Sequence, residues 1–357
     1  MSEKVLILGK GASGEAAAAL LRARGRDIGF ADGVSLVVAS PGVKVRSELH
    51  VGCEDLARRG VKLLAVTGSK GKSSVVKVVA DTLTLAGHRA IACGNYGIPV
   101  SEVGECEWAV VEVSSFQLET THLPPGAFEA AAVLNLQEDH LDRHESVEVY
   151  HALKLRLLDM AKVRIGPDVE PTEAERALFR GSYFDNDVLA SNGAAAVRLL
   201  CAAGLEDARI ARGFAAFEPL PHRMNLVCTV DGVRYVDDSK ATSIAALAAG
   251  VRMAGSGIRL IAGGLEKGDD PKDAIFSLTN RVKKVYLMGH SAEKFLSAWR
   301  SAVDCEVCGT IDAAVEAAKR EAVEGETVLL SPGAASFDQF HSFEERGEAF
   351  ARLVKKG

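Results

Sequence analysis

Short apolar runs alternate with amphipathic stretches along the chain, and each change of period marks a change of element. Lys4 to Leu8 is an apolar, partly β-branched run ending in GKGASG, Gly9 to Gly14; EAAAALLRARG then has helical spacing and stops at Gly25. The pattern predicts strand, glycine loop, helix. A second strand, DIGFAD, ends in Asp32, a third, SLVVAS, runs into Pro41 and Gly42, and a helix is expected near Ser47 to Arg59. The same grammar restarts in VKLLAVTGSKGKSSVVKVVADTLTLAG, while WAVVEVSS and AAAVLNL have the continuous apolar character of strands buried in a parallel sheet. Gly166 to Asn186 is charged and weakly periodic, so a loop is expected there, followed by the helix AAAVRLLCAAG. FEPLPHRMN reads as a hinge, LVCTVDGVRYVDD as a hairpin turning at Asp231 and Gly232, and IRLIAGG, KKVYLMG and TVLLSPG carry the alternation onward. Three α/β domains in series follow, over 1–60, 61–217 and 218–357.

Composition narrows the function without choosing it. At 357 residues with 48% hydrophobic and 25% charged side chains, the chain has the make-up of an ordinary globular enzyme. A net charge of -6 gives no global field for nucleic acid, so any anion must be held locally. The seven cysteines are dispersed, which points to a reducing compartment; Cys305 and Cys308 form a lone CxxC without a second pair, and coincidence is favoured over a metal or redox site. MSEKVLILGKG enters a strand at once, without a charged and then apolar leader, and no run of about 18 apolar residues follows. The expectation is a cytoplasmic protein with no membrane or nucleic-acid partner, acting as a monomer.

GSKGKSS is the strongest chemical signal. Gly68, Ser69, Lys70, Gly71, Lys72, Ser73 and Ser74 sit between an apolar strand and a helix, where backbone N–H groups cradle phosphates, Lys72 reaches the β and γ oxygens and Ser73 ligates magnesium. The pattern is the shorter GxxGK[ST], because Val66 stands where the longer form has glycine. GKGASG, with Gly11, Ala12 and Ser13 in the loop and Asp32 beyond, matches GxGxxG and invites a nicotinamide-enzyme reading; beside a P-loop lysine it fits better with a nucleotide-linked substrate bound apart from ATP. Glu112 ends a strand where it can meet magnesium near Ser73, though acidic strand ends are common. NLQEDHLDRH gathers Glu138, Asp139, His140 and Asp142, which suits a hard cation or equally a solvated loop. Lys154, taken alone, reads as a surface lysine on an amphipathic helix. In DDSKATS, Asp238 can accept from a ribose hydroxyl while Lys240 and Thr242 offer donors to anions, and a helix cap by Ser239 or Thr242 is the competing account. SPGAASFDQF offers Ser336 beside Phe337, or only a strand-to-helix turn.

Taken in order, GSKGKSS, GNYG, VVEVSSFQLETT, LNLQEDHLDRH, YHALKLR, LPHRM, VDDSKATS and LLSPGAASFDQFHSFEERG resemble the Mur ligases, and SSFQLETT with SFDQFHSFEERG resembles the D-glutamate-adding branch. The match covers most of 61–357. It implies an α/β fold in which small Rossmann-like N-terminal and C-terminal Rossmann-like domains flank a central P-loop ATPase-like domain with a parallel sheet. It implies an ATP-dependent ligase joining D-glutamate to UDP-N-acetylmuramoyl-L-alanine. Lys72, Glu112, His140 and Lys154 would be catalytic, and Ser73, Glu112, His140 and Lys154 would hold Mg2+, with Lys154 carbamylated. Asn192, Arg223 and Asp238 would contact ATP; Asn95 and Ser114 the UDP-sugar substrate; Lys240, Thr242, Lys267, Ser336, Phe337 and Phe343 the incoming amino acid. The first domain is short for the family, and 166–192 is trimmed. The alternatives are another Mur or folylpolyglutamate-synthase-like ligase, a NAD-dependent dehydrogenase resting on GKGASG, and a nucleotide-binding regulator without turnover.

Overall fold

The computed structural model describes residues 4–31, 45–138, 141–266 and 268–355. Asp32, the run SLVVAS, Asp139, His140 and Lys267 lie outside the described residues. Two compact units form, Met1–Asp185 with Leu189–Phe217, and Asn186–Val188 with Glu218–Gly357.

In the first unit, β1 (Lys4–Leu8) pairs in parallel with β2 (Asp27–Ala31), and the helix Ala12–Ala23 connects them. Gly9 has φ 91°, and a Cβ on Gly14 would lie 2.2 Å from the Gly9 carbonyl oxygen. Both glycines are therefore demanded by the turn, as the GxGxxG spacing predicts. A second sheet, all parallel, has the order β4 (Ala90–Gly94), β5 (Trp108–Glu112), β3 (Lys62–Thr67), β6 (Phe128–Val133), β7 (Ala161–Ile165). Leu63, Ala65, Ala109, Val111 and Ala131 face a core shared with Leu49, Cys53 and Leu56 of the helix Glu48–Arg58. The helices Lys72–Leu85 and Ala190–Ala202 pack against these strands as well.

Residues 166–186 are turns and irregular chain around one short helix, and they are packed rather than solvated as their charge suggests. Thr172 and Glu175 form a reciprocal capping box on the helix Glu173–Leu178, and Phe179 and Phe184 are fully buried against Phe214 and Phe217. The aromatic packing, carried by residues without regular spacing, is invisible to periodicity. It also explains Gly193 inside a helix, since a Cβ there would lie 3.2 Å from both Phe179 and Phe184.

The second unit is a mixed six-stranded sheet in the order β12 (Asp304–Gly309), β11 (Val282–Met288), β10 (Ile258–Gly263), β13 (Thr327–Leu330), β9 (Val233–Asp237), β8 (Asn225–Val230). Only the β8 and β9 pair is antiparallel, and its turn places Asp231 and Gly232 at φ 48° and 74°, the double positive φ of a type I′ turn. Cys305 packs into one core and Cys308 into the other, on opposite faces of β12, so the CxxC cannot close on one ion. Burial pushes each thiol up to about 11.

Candidate functional site

In the first unit the site is built at the carboxyl end of β3, the central strand, between the ends of β5 and β6. That edge is where open parallel sheets receive ligands. Gly68 (φ 149°) and Gly71 (φ 86°) bend the loop into the helix Lys72–Leu85; a Cβ on Gly71 would sit 2.2 Å from Asn192 Nδ2, so the buried Asn192 packs directly on the loop. Lys72 Nζ donates to the carbonyls of Gly68 and Ser69 at 2.9 and 3.1 Å. Lys154 arrives from the helix Val147–Leu155 and donates to the same Gly68 carbonyl at 2.9 Å. At 2% exposure it is no surface lysine, and its Nζ lies 4.6 Å from the Tyr150 ring centroid. Two lysine side chains thus converge on one carbonyl of the loop.

Glu112 ends β5 at 2% exposure. Its Oε1 accepts from Asn95 Nδ2 at 2.8 Å, and the Asn95 backbone N–H donates to the Glu112 carbonyl at 2.9 Å. Its Oε2 is buried with no hydrogen-bond partner among the described residues. An orphaned carboxylate oxygen in a buried position calls for a cation. Among the described residues no three His, Cys, Asp or Glu side chains gather to hold a metal. A single buried carboxylate of this kind fits magnesium, which takes one or two carboxylates and completes its shell with a hydroxyl, phosphate oxygens and water. Ser73 is half-buried in the first turn of the helix after the loop, and its hydroxyl is the one the sequence pattern assigns to such a shell.

Residues that the sequence did not single out brace this loop. Asn135 takes the Lys70 N–H on Oδ1 at 2.8 Å and donates to the Lys70 carbonyl at 2.9 Å. Ser69 Oγ donates to the Gln137 carbonyl and accepts from the Gln137 N–H and the Tyr150 hydroxyl at 2.9 and 3.2 Å. Only their place just after β6, the neighbour of β3, could have marked Asn135 and Gln137. Ser114 spends its hydroxyl on Gln117 in the capping box that opens the helix Ser115–Glu119. Gly11, Ala12 and Ser13 are exposed beside β1.

In the second unit, Asp238, Lys240 and Thr242 follow β9, and Ser336 lies beyond the end of β13. Asp238 accepts from Ser331 Oγ at 2.8 Å, and burial pushes its carboxyl up to about 7, against the hydrogen bonds from Ser331 and Met224. Asp237 holds His222 Nδ1 at 2.6 Å. Arg346, at 1% exposure, donates to Ser239 Oγ, to the Ser239 carbonyl and to the Ala334 carbonyl at 3.0, 2.9 and 3.1 Å, and burial lowers it to about 10. This buried guanidinium fixes the DDSKATS loop from beneath. The helix cap is Ser243, which accepts from Ala246 N, so Ser239 and Thr242 are not consumed as caps. Lys240 Nζ lies 3.7 Å from the Phe343 ring centroid. Ser336 is buried, Phe337 is 67% exposed and Arg223 is half-buried.

Family comparisons agree with this geometry. Residues 66–165 match the Mur ligase middle domain, and residues 222–334 match the Mur ligase glutamate ligase domain. The chain is 38% identical to the UDP-N-acetylmuramoylalanine--D-glutamate ligase of Rubrobacter xylanophilus, covering 90% of this chain and 85% of that protein. It is 31% identical to the ligase of the same name from Myxococcus xanthus, over 99% of this chain and 98% of that one. Among solved structures, MurF ligase from Thermotoga maritima in complex with ADP superposes with a TM-score of 0.62 at 16% identity, over 100% and 96% of the two chains. E. coli FolC in complex with ADP gives 0.56 at 18% identity, over 88% and 94%. These two share the fold.

Proposed function

This chain belongs to the Mur ligase family, and on that premise we propose that it is the ATP-dependent ligase that adds D-glutamate to UDP-N-acetylmuramoyl-L-alanine in peptidoglycan precursor synthesis. The observation that carries the chemistry is the meeting of Lys72 and Lys154 at the Gly68 carbonyl. A loop with two ammonium groups, opening a helix, is built for a polyphosphate.

The substrate carboxylate takes the γ-phosphoryl group of ATP, releasing ADP and giving an acyl phosphate; the amine of D-glutamate then attacks the acyl carbon, loses a proton and displaces phosphate to leave an amide. Lys72 neutralises charge that develops on the transferring group. Magnesium, when bound, draws charge from the phosphate oxygens; Ser73, Glu112, His140 and the modified Lys154 are the side chains proposed to hold it. Carbamylation would turn the Lys154 ammonium into a carboxylate; what supports this reading is the burial of Lys154 beside Tyr150 and its approach to the Gly68 carbonyl. The cytoplasm is the proposed compartment and a monomer the proposed form. Residues 1–60 are assigned to the UDP moiety, with Gly11, Ala12, Ser13 and Asp32, and Asn95 and Ser114 to the rest of that substrate. Asn192, Arg223 and Asp238 are assigned to ATP, and Lys240, Thr242, Lys267, Ser336, Phe337 and Phe343 to D-glutamate, whose two carboxylates require several donors.

Phosphate release from ATP with magnesium and UDP-N-acetylmuramoyl-L-alanine tests this, with D-glutamate, L-glutamate, L-lysine and L-alanine as acceptors. Release with D-glutamate alone is expected. Release with another acceptor moves the assignment to a sister ligase, and none with any acceptor removes it. Loading with 13C-bicarbonate should give a carbamate carbonyl resonance that Lys154→Ala lacks.

A further inference from the structure

One row of side chains in the first unit, buried at Ser115 and His144 and half-buried at Glu119, takes no part in the proposed chemistry. His144 Nε2 lies 3.0 Å from Ser115 Oγ, and its Nδ1 lies 3.5 Å from Glu119 Oε1. Arg143 grips the same carboxylate through Nε and Nη2, at 3.1 and 2.7 Å. That fork holds Glu119 below the usual carboxylate range, so an anion faces the imidazole. An anion beside Nδ1 favours the Nδ1–H tautomer and leaves the Nε2 lone pair to accept the Ser115 hydroxyl proton.

Serine, histidine and carboxylate in a row have the order of a nucleophilic triad. Ser115 and His144 are 2% and 3% exposed, however, so no substrate carbonyl reaches the hydroxyl. The row acts on the protein itself. Ser115 and Glu119 bound the helix that follows β5 and Glu112, and His144 closes the helix Leu141–His144 that follows β6 with Asn135 and Gln137. The imidazole stacks on Phe116 at 5.3 Å and meets Tyr150 at 5.5 Å in a tilted arrangement. Tyr150 in turn touches Ser69 of the phosphate loop and lies beside the Lys154 ammonium.

We propose that His144 is a positioning residue, whose imidazole, held as the Nδ1–H tautomer by Glu119, locks the loop after β5 to the loop after β6 and seats Tyr150 against Ser69 and Lys154. The proposal rests on the P-loop reading, because Ser69 and Lys154 are the groups it serves. His144→Phe keeps a ring for the stack and removes both polar contacts; His144→Gln restores an acceptor for Ser115; Glu119→Gln keeps the shape and removes the charge.

Calorimetric titration of the full chain with MgADP, which needs no amino-acid acceptor, should show affinity about tenfold weaker in His144→Phe and within about threefold of wild type in His144→Gln. The 15N shifts of the imidazoles should include one neutral Nδ1–H ring that is lost in His144→Phe and shifted in Glu119→Gln. A lowered melting midpoint with MgADP affinity unchanged in every variant makes the role merely structural and overturns the proposal, as does an Nε2–H tautomer. A wild-type chain that binds MgADP but makes no product with D-glutamate sinks the acceptor assignment and leaves this test intact. A wild-type chain that binds no MgADP removes the P-loop reading, and the positioning proposal falls with it.

Discussion

Glu112 uses its two carboxylate oxygens differently, one held by Asn95 and one buried without a donor among the described residues. Leaving such an oxygen unmatched costs on the order of 1–3 kcal/mol, which a cation offsets. Asn95→Ala should therefore raise the magnesium concentration at half-maximal phosphate release by about tenfold, while Glu112→Gln should lower kcat on the order of a hundredfold. Magnesium titrations of both variants check this, and an unshifted titration in Asn95→Ala removes the orienting role. Asp238 gives a pH prediction. Its carboxyl is raised in the folded chain from 3.8 to about 7, so the folded state holds its proton more tightly than the unfolded one. The stability from that proton is full below about pH 4 and is lost as pH rises to about 7, by up to about 4 kcal/mol. Asp238→Asn should flatten this slope, read as urea midpoints at pH 5 and pH 8. The sequence marked Glu112, Lys72 and Asp238 because strand ends and glycine loops are written in neighbouring residues. It gave no role to Asn135, Gln137, Tyr150 and Arg346, although each lies in a motif quoted above, because their main partners stand far away in the chain and polar pairing has no period.

At the scale of elements, β3, β5, β6, β10, β11 and β13 were legible because burial on both faces leaves continuous apolar runs, and the two glycine loops because they interrupt strand and helix patterns. The edge strands β4, β7 and β12 were not: β4 is a five-residue run of mostly small side chains, and β7 and β12 carry polar, exposed positions that blur the alternation. The phosphate loop depends on Gly71 for two independent reasons, its positive φ and the closeness of Asn192. Gly71→Ala should weaken MgADP binding by at least about tenfold and cost on the order of 1–3 kcal/mol of stability. Gly232→Ala is the matched control in the hairpin, where φ is 74° and a Cβ would lie 2.5 Å from Glu324 Cγ. It should cost about 1–2 kcal/mol by thermal melting and leave MgADP affinity unchanged.

At the scale of the whole molecule, the second unit carries two cores of its own, one on each face of its sheet. Residues 218–357 expressed alone should therefore melt in a single cooperative transition with strand and helix signals in far-UV circular dichroism; a chain without a transition would contradict the independence of that core. No helix among the described residues is long and apolar enough to cross a membrane.

The central place of β3 has a consequence for how the chain is born. Its hydrogen-bonding partners β5 and β6 lie later in the sequence, the farther one on the order of sixty residues downstream, which at bacterial elongation rates means several seconds of synthesis. During that interval the strand LLAVT leaves the ribosome with both edges unsatisfied, and the Asn135 and Gln137 brackets on its loop do not yet exist. The nascent segment is thus a sticky ribbon awaiting its neighbours, and slowing translation between residues 67 and 137 should increase its capture by holdase chaperones.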